Sequence, residues 1–216
     1  MKTVIFDLDG TLSDSSGGIF RSINYALNKI DAPEISLGEV DRYIGPPLKE
    51  SFSSLLETTD NATLDTAVRF FREDYTTAGY KINELYPGID QALQQLAQRG
   101  YQLFIATTKQ TDIACEVMRY FDLERHFKGI YGGASEIPKP KLISRILTEH
   151  NCTNEQSVMV GDTHYDIHAA KINNIFSLGA AWGFGQNTEI STADVVIDSP
   201  AELIENIEKL IGSTVV

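Results

Sequence analysis

The chain has little cysteine, little positive charge and no long apolar run. Its two cysteines, Cys115 and Cys152, lie far apart and form no Cys-x-x-Cys pair. That excludes a disulfide-stapled scaffold and points to a reducing cytoplasm with buried or idle thiols. Lys and Arg number 18 against 30 Asp and Glu, a formal net charge of -12. A chain of that sign repels polymeric nucleic acid and anionic membranes, so an anionic substrate must meet a local positive site. No apolar run is long enough to span a bilayer, and three apolar residues before Asp7 are too few for a signal peptide. A Gly-x-x-x-x-Gly-Lys loop and a His-Glu-x-x-His pair are both missing, and Gly183-x-Gly185 has no third glycine at the required place. There is no internal repeat and no low-complexity segment.

What is present is ordinary globular material. With 216 residues, 42% of them hydrophobic, the chain can bury a sizeable core as one domain, or as one domain carrying a smaller insertion. The organising stretch is Val4-Ile5-Phe6-Asp7-Leu8-Asp9-Gly10-Thr11, which reads as a buried strand running into a turn. Alternation along a strand places Asp7 and Asp9 on one side at its C-terminal end. Like charges that close raise one another's pKa, so either a cation sits between them or one stays protonated. A hard, oxygen-seeking cation such as Mg²⁺ suits one or two carboxylates. An acidic strand-to-turn junction without chemistry fits the same residues. An EF-hand loop does not, because Leu12 and Gly18 stand where its glycine and closing glutamate belong.

From Ile19 to about Gly79 the pattern is helical. Ile19, Ile23, Ala26, Leu27 and Ile30 recur at helical spacing, and further helices are expected at Leu37 to Tyr43, Leu48 to Leu56 and Leu64 to Tyr75. Leu12 to Gly18 and the region around Tyr86 to Gly88 read as flexible hinges on either side. Beyond Pro87, strands at Tyr101 to Ala106, Gly129 to Tyr131, Ser157 to Val160, Ile175 to Leu178 and Val195 to Ile197 alternate with helices. The helices are expected at Ile89 to Gln98, Thr111 to Phe121, Lys141 to His150, Ile167 to Asn173 and Ala201 to Leu210. This alternation predicts an α/β fold, a Rossmann-like parallel sheet with helices on both faces, carrying an inserted all-α bundle. The core covers 1–13 and 87–216, and the helical insert 14–86.

Ligands of open parallel sheets bind beyond the strand C-termini. There the sequence offers Thr107-Thr108-Lys109, then Ile137-Pro138-Lys139-Pro140-Lys141, then Gly161-Asp162-Thr163-His164-Tyr165-Asp166. Thr107 and Thr108 bring hydroxyls and backbone N–H groups to a helix start, a cradle for phosphate. Singly, each could be a helix cap or a solvated charge; their recurrence at successive strand ends is the signal.

These residues resemble the four motifs of the haloacid dehalogenase-like hydrolase superfamily: Asp7-x-Asp9-Gly10-Thr11, Thr107, Lys139 and Gly161-Asp162-x-x-x-Asp166. The resemblance covers nearly the whole chain, with 14–86 matching the small helical cap. Ile44-Gly45-Pro46-Pro47-Leu48 points to phosphoglycolate-phosphatase-like members. The resemblance implies a phosphatase acting on a small phosphorylated metabolite, as a monomer or homodimer. In it Asp7 is the nucleophile, Asp9 a protonated acid that becomes a base, and Mg²⁺ is held by Asp7, the Asp9 carbonyl and Asp162. Thr107, Thr108, Gly10 and Lys139 would bind phosphate, and Asp166 would orient a metal-bound water or Lys139. Asp9 argues against dehalogenases and phosphonate-cleaving members, which lack it, while a nucleotidase, a pyrophosphatase or a phosphosugar mutase would use the same site. The mutases usually carry Glu-Asp where Gly161-Asp162 stands. Lys141 competes with Lys139 for the lysine role. Arg42, Tyr43 and Lys49, flanking Gly45-Pro46-Pro47, could reach a leaving group or merely sit at the surface.

Two rivals come from other chemistry. A receiver-like phospho-switch shares the Mg²⁺, acidic, Thr and Lys pattern but needs neither this length nor the insert. His164 and His168, four apart, invite a Zn²⁺ or Mn²⁺ site, but one helix supplies too few ligands.

Overall fold

The computed structural model describes residues 1–133 and 137–212. In chain order it has β1 (Thr3–Phe6), β2 (Ser13–Asp14), α1 (Ser16–Lys29), α2 (Leu48–Leu55), α3 (Asn61–Tyr75), β3 (Glu84–Leu85), α4 (Ile89–Gln98), β4 (Gln102–Thr107) and α5 (Thr111–Tyr120). β5 (Phe127–Gly132), α6 (Lys139–Glu149), β6 (Ser157–Gly161), α7 (His164–Ile172), β7 (Phe176–Ala180), α8 (Asn187–Ile190), β8 (Val195–Ile197) and α9 (Leu203–Ile207) follow.

Six strands form one parallel sheet in the order β5-β4-β1-β6-β7-β8. Val4, Ile5 and Phe6 are fully buried because β1 lies inside the sheet and is covered on both faces. Val4 and Phe6 pack with Ile89, Leu93 and Leu96 of α4. Ile5 faces the other way, onto Leu142, Ile143 and Ile146 of α6 and Ala169 and Ala170 of α7. Residue 7 shares the parity of Ile5, so the first aspartate leaves the strand on the α6/α7 side. Phe6 aligns with Ile105 of β4 and Val160 of β6, which brings three strand ends to one level. The chain adds strands on the β4 side of β1 and then on the β6 side. The order reverses between β1 and β6, where ligands of such sheets bind.

The helices between β2 and β3 have an apolar cluster of their own, with Ile19, Ile23 and Leu27 of α1, Phe52 of α2, and Leu64, Val68 and Phe71 of α3. The expected hinge over Leu12 to Gly18 is more ordered than its composition suggests. Ser13 and Asp14 pair antiparallel with Leu85 and Glu84, and α1 already begins at Ser16. Both legs of the insert therefore run through a short ribbon, whose partner segment lies too far along the chain to leave a local signal.

The helix expected at Leu37 to Tyr43 is a 3₁₀ segment, opened by reciprocal hydrogen bonds between Ser36 and Glu39. α6 starts two residues earlier than its apolar periodicity, at Lys139, with Pro138 as its cap. α7 starts at His164, where Thr163 and Asp166 cap each other. The expected last helix is three short pieces, with a 3₁₀ turn at Pro200–Glu202 before α9 and a π-helical turn at Glu208–Gly212 after it. Among the described residues no helix is long and apolar enough to cross a membrane.

Candidate active site

Asp7 follows the last residue of β1, and its N–H still donates to the Val160 carbonyl, so the strand direction carries one residue beyond the ladder. Its carboxylate is pinned on both oxygens. Oδ1 accepts the Leu8 N–H at 2.8 Å, and Oδ2 lies 2.7 Å from Lys139 Nζ. Lys139 comes from the first turn of α6, buried to 3% exposure, and also contacts Asp166 Oδ1 at 2.5 Å. Lys141, two residues on, is exposed. The geometry thus separates two lysines that spacing left in competition.

Asp162 follows β6, and Asp166 comes from the first turn of α7. Asp162 Oδ1 accepts from Thr11 Oγ1 at 3.0 Å, and its Oδ2 from the backbone N–H of Phe184 at 2.9 Å. The loop Trp182 to Gly185 therefore lies against the site. Asp166 Oδ2 accepts from both the N–H and the hydroxyl of Thr163, at 3.0 and 2.8 Å. The glycines of the two motifs make room for these side chains. A Cβ on Gly161 would meet Asp166 Cγ at 2.1 Å, and one on Gly10 would meet Asp162 Oδ2 at 2.1 Å. Gly10 also has φ +79°, which favours glycine. Its N–H donates to the Ser13 carbonyl at 2.9 Å, so what Gly10 supplies here is space and a turn rather than a hydrogen bond for phosphate.

Asp7, Asp162 and Asp166 bring one carboxylate oxygen each to within 4.8 Å of one another, all buried. One lysine cannot balance three buried carboxylates. Burial, then Asp166, then Asp7 push the Asp162 carboxyl up to about 8. Asp7 is driven up to about 6, chiefly by burial and against the pull of Lys139. An oxygen-only donor set with excess negative charge fits a hard divalent cation, and the residues present pass that test. Asp7 and Asp162 of the expected set, which also counted the Asp9 carbonyl, are joined in this cluster by the Asp166 carboxylate.

Asp9 turns instead toward the insert. Its Oδ2 lies 2.9 Å from Lys109 Nζ, and its Oδ1 is buried with no hydrogen-bond partner among the described residues. Lys109 was legible only as a basic residue after two threonines; nothing local signalled its partner.

Thr107 is buried at the end of β4, and its Oγ1 accepts the Lys109 N–H at 3.2 Å while keeping a proton to donate. Thr108 donates to the Gly45 carbonyl of the insert at 3.3 Å, so its hydroxyl ties two parts of the chain together. A cavity opens beside Asp9, walled by Tyr43, Ile44, Phe71, Arg72 and Ile113. Tyr43 therefore reaches it. Arg42 lies in a separate cleft with Thr163 and His164, and Lys49 pairs with Asp65 at 2.7 Å on the same insert. His164 is exposed and sits 3.2 Å from Glu189, and His168 is exposed, so neither joins the acidic cluster.

The raised carboxyls carry a pH consequence. The native state without metal holds protons that the unfolded chain, with aspartates near 3.8, releases as pH rises. Its stability should therefore fall between about pH 4 and pH 8, the reverse of the usual acid-loss pattern. Thermal melts in chelator should give a Tm that declines over this window, and excess Mg²⁺ should raise Tm most at its upper end. A chelated protein that gains stability over the same window would refute the charge account.

Residues 4–180 match the family model described as haloacid dehalogenase-like hydrolase. A 5'-nucleotidase from Pseudomonas aeruginosa is 35% identical over 190 residues, 87% of this chain and 86% of that one. The tyrosine-protein kinase PtkA of Mycobacterium tuberculosis is 32% identical over 214 residues, 98% of this chain and 72% of its own. A phosphoglycolate phosphatase from Vibrio cholerae is 30% identical over 217 residues, covering 95% and 96%. Among solved structures, that of a predicted phosphatase from Clostridium acetobutylicum superimposes with a TM-score of 0.92 at 33% identity, covering 97% of this chain and 99% of that one.

Proposed function

We propose a function for a chain that belongs to the haloacid dehalogenase-like hydrolases: it removes the phosphoryl group from small phosphate monoesters, with Asp7 as nucleophile and Mg²⁺ as cofactor. The observation that carries this reading is the buried Asp7 carboxylate, oriented by the Leu8 N–H and Lys139 and clustered with two further acids whose oxygens suit a dication.

A carboxylate attacks without first losing a proton, so the site needs no activating histidine or serine. Mg²⁺ bound among Asp7, Asp162 and Asp166, with the Asp9 carbonyl, would offset the charge of the phosphate dianion as the carboxylate approaches. Lys139 holds Asp7 against Asp166 and contributes positive charge beside the attacking group. Thr107 has its hydroxyl proton free for a phosphoryl oxygen. Asp7 attacks phosphorus in line and the ester oxygen leaves, giving an aspartyl-phosphate that water then hydrolyses. In this reading Asp9 Oδ1, buried and without a hydrogen-bond partner among the described residues, gives a proton to the leaving oxygen and takes one from the attacking water.

The leaving group then occupies the cavity beyond Asp9. Residues 14–86 roof it, which makes them the cap that selects the substrate and excludes water during attack. Phosphoglycolate and nucleoside monophosphates differ only in what fills this space. Tyr43, Phe71 and Ile113 offer apolar wall, and Arg72 offers a cation for an acidic group. The acidic chain acts on a small metabolite, not a nucleic acid polymer, in the cytoplasm, as a monomer or homodimer.

Phosphate release from a panel of phosphoglycolate, nucleoside monophosphates, sugar phosphates, pyrophosphate and phosphotyrosine peptide, with and without Mg²⁺, tests the reading. Metal-dependent release from at least one small monoester is expected. A panel that stays silent in Mg²⁺ would overturn it.

A further inference from the structure

Lys109 does more than fill the turn after β4. Its ammonium, on a side chain only 10% exposed, meets two groups from different parts of the chain. One is Asp9 Oδ2 at 2.9 Å. The other is the hydroxyl of Tyr75, also at 2.9 Å, with the Tyr75 ring centroid 4.3 Å away. Tyr75 is the last residue of α3 and stacks on Phe71 at 5.3 Å between centroids, 12° from parallel, so its ring is fixed from within the insert. At the other end, the Lys109 N–H is held by Thr107 Oγ1. The lysine therefore spans from the insert to Asp9 with both ends anchored.

The arrangement at Asp9 is asymmetric. Lys109 takes Oδ2, while Oδ1 is buried with no hydrogen-bond partner among the described residues and the residue lines the cavity assigned to the leaving group. A carboxylate held on one oxygen loses its rotational freedom and presents the other in one direction. Positioning of that kind is what a proton-transfer group needs.

We propose that Lys109, clamped by Tyr75 of the insert, is a positioning residue that fixes Asp9 so that Oδ1 accepts the proton of the water hydrolysing phosphorylated Asp7. The proposal rests on the phosphatase reading above. In the step itself the water oxygen bonds to phosphorus, the bond from phosphorus to the Asp7 oxygen breaks, and the Asp7 carboxylate is restored. The water proton passes to Asp9 Oδ1 and inorganic phosphate leaves. Because Tyr75 belongs to the insert, the base is aligned only when the insert is seated over the site.

The test uses p-nitrophenyl phosphate, whose leaving group departs without a proton, so formation of the aspartyl-phosphate is spared and its hydrolysis is exposed. Lys109→Met and the near-isosteric Tyr75→Phe are compared with wild type by kcat and by acid-quenched phosphoenzyme occupancy in the steady state. Lys109→Met should lower kcat about 10²-fold, and Tyr75→Phe by several-fold to about tenfold. In both, phosphoenzyme occupancy should rise toward one per site, with a burst of nitrophenolate. Loss of kcat with occupancy unchanged or reduced would make Lys109 a packing or substrate-binding residue and overturn the proposal. A Tyr75→Phe variant equal to wild type in both readouts would sever the link to the insert and overturn it as well. Wild type that releases no phosphate would instead remove the phosphatase reading, which these variants do not address.

Discussion

Asp7→Asn should stop turnover, by roughly 10⁴- to 10⁶-fold in kcat, while the protein stays folded. The amide keeps the size of the carboxylate and can still accept the Leu8 N–H, but it is a poor nucleophile toward phosphorus. Stability should move the opposite way from activity in metal-free protein at alkaline pH. Asp7 is one of three clustered buried carboxylates and shares Lys139 with Asp166, and burial has pushed its pKa up to about 6. Making it neutral removes a charge that the fold tolerates poorly. Melting in chelator near pH 8 should therefore show Asp7→Asn no less stable than wild type. A variant that melts far lower would mean that the side chain serves the fold rather than the chemistry.

Lys139→Met should be the most damaging single change near the site. The residue is 3% exposed and is the counterion of both Asp7 and Asp166. Its removal leaves uncompensated buried carboxylates, at a cost of about 3–5 kcal/mol. It also removes the group that orients the nucleophile, so kcat should collapse even in whatever fraction remains folded. Excess Mg²⁺ should recover part of the stability and little of the activity. Lys141→Met, two residues along the same helix but exposed, should stay within about 0.5 kcal/mol of wild type and keep its rate. Equal losses in the two variants would contradict the placement of Lys139.

The parallel sheet was legible because its central strands β1, β4 and β6 are short apolar runs ended by turn residues, too short for buried helices and alternating with helical patterns. The insert was legible from the shift to helical spacing after Ile19. The site was legible as chemistry at successive strand ends. Its internal pairing was not. Alternation placed Asp7 and Asp9 together, but β1 ends at Phe6 and the backbone turns at Gly10 with φ +79°, which frees Asp9 to meet Lys109. Periodicity ends with the strand, and so does the inference drawn from it. The contact of Lys109 with Tyr75 joins residues 34 apart in different units, and no local rule reaches across that gap. The glycine of Gly161-Asp162-x-x-x-Asp166 was visible as a letter in a motif. Its reason, the Asp166 side chain packed where a Cβ would go, needs three dimensions.

The most direct measurement is acid quenching of wild-type protein during turnover of a good monoester substrate in Mg²⁺, followed by peptide mass analysis of the phosphorylated residue. The account predicts a single alkali-labile phosphoryl group on Asp7, absent from Asp7→Asn. Full turnover with no phosphoryl adduct on the protein, or an adduct on another residue, would contradict it.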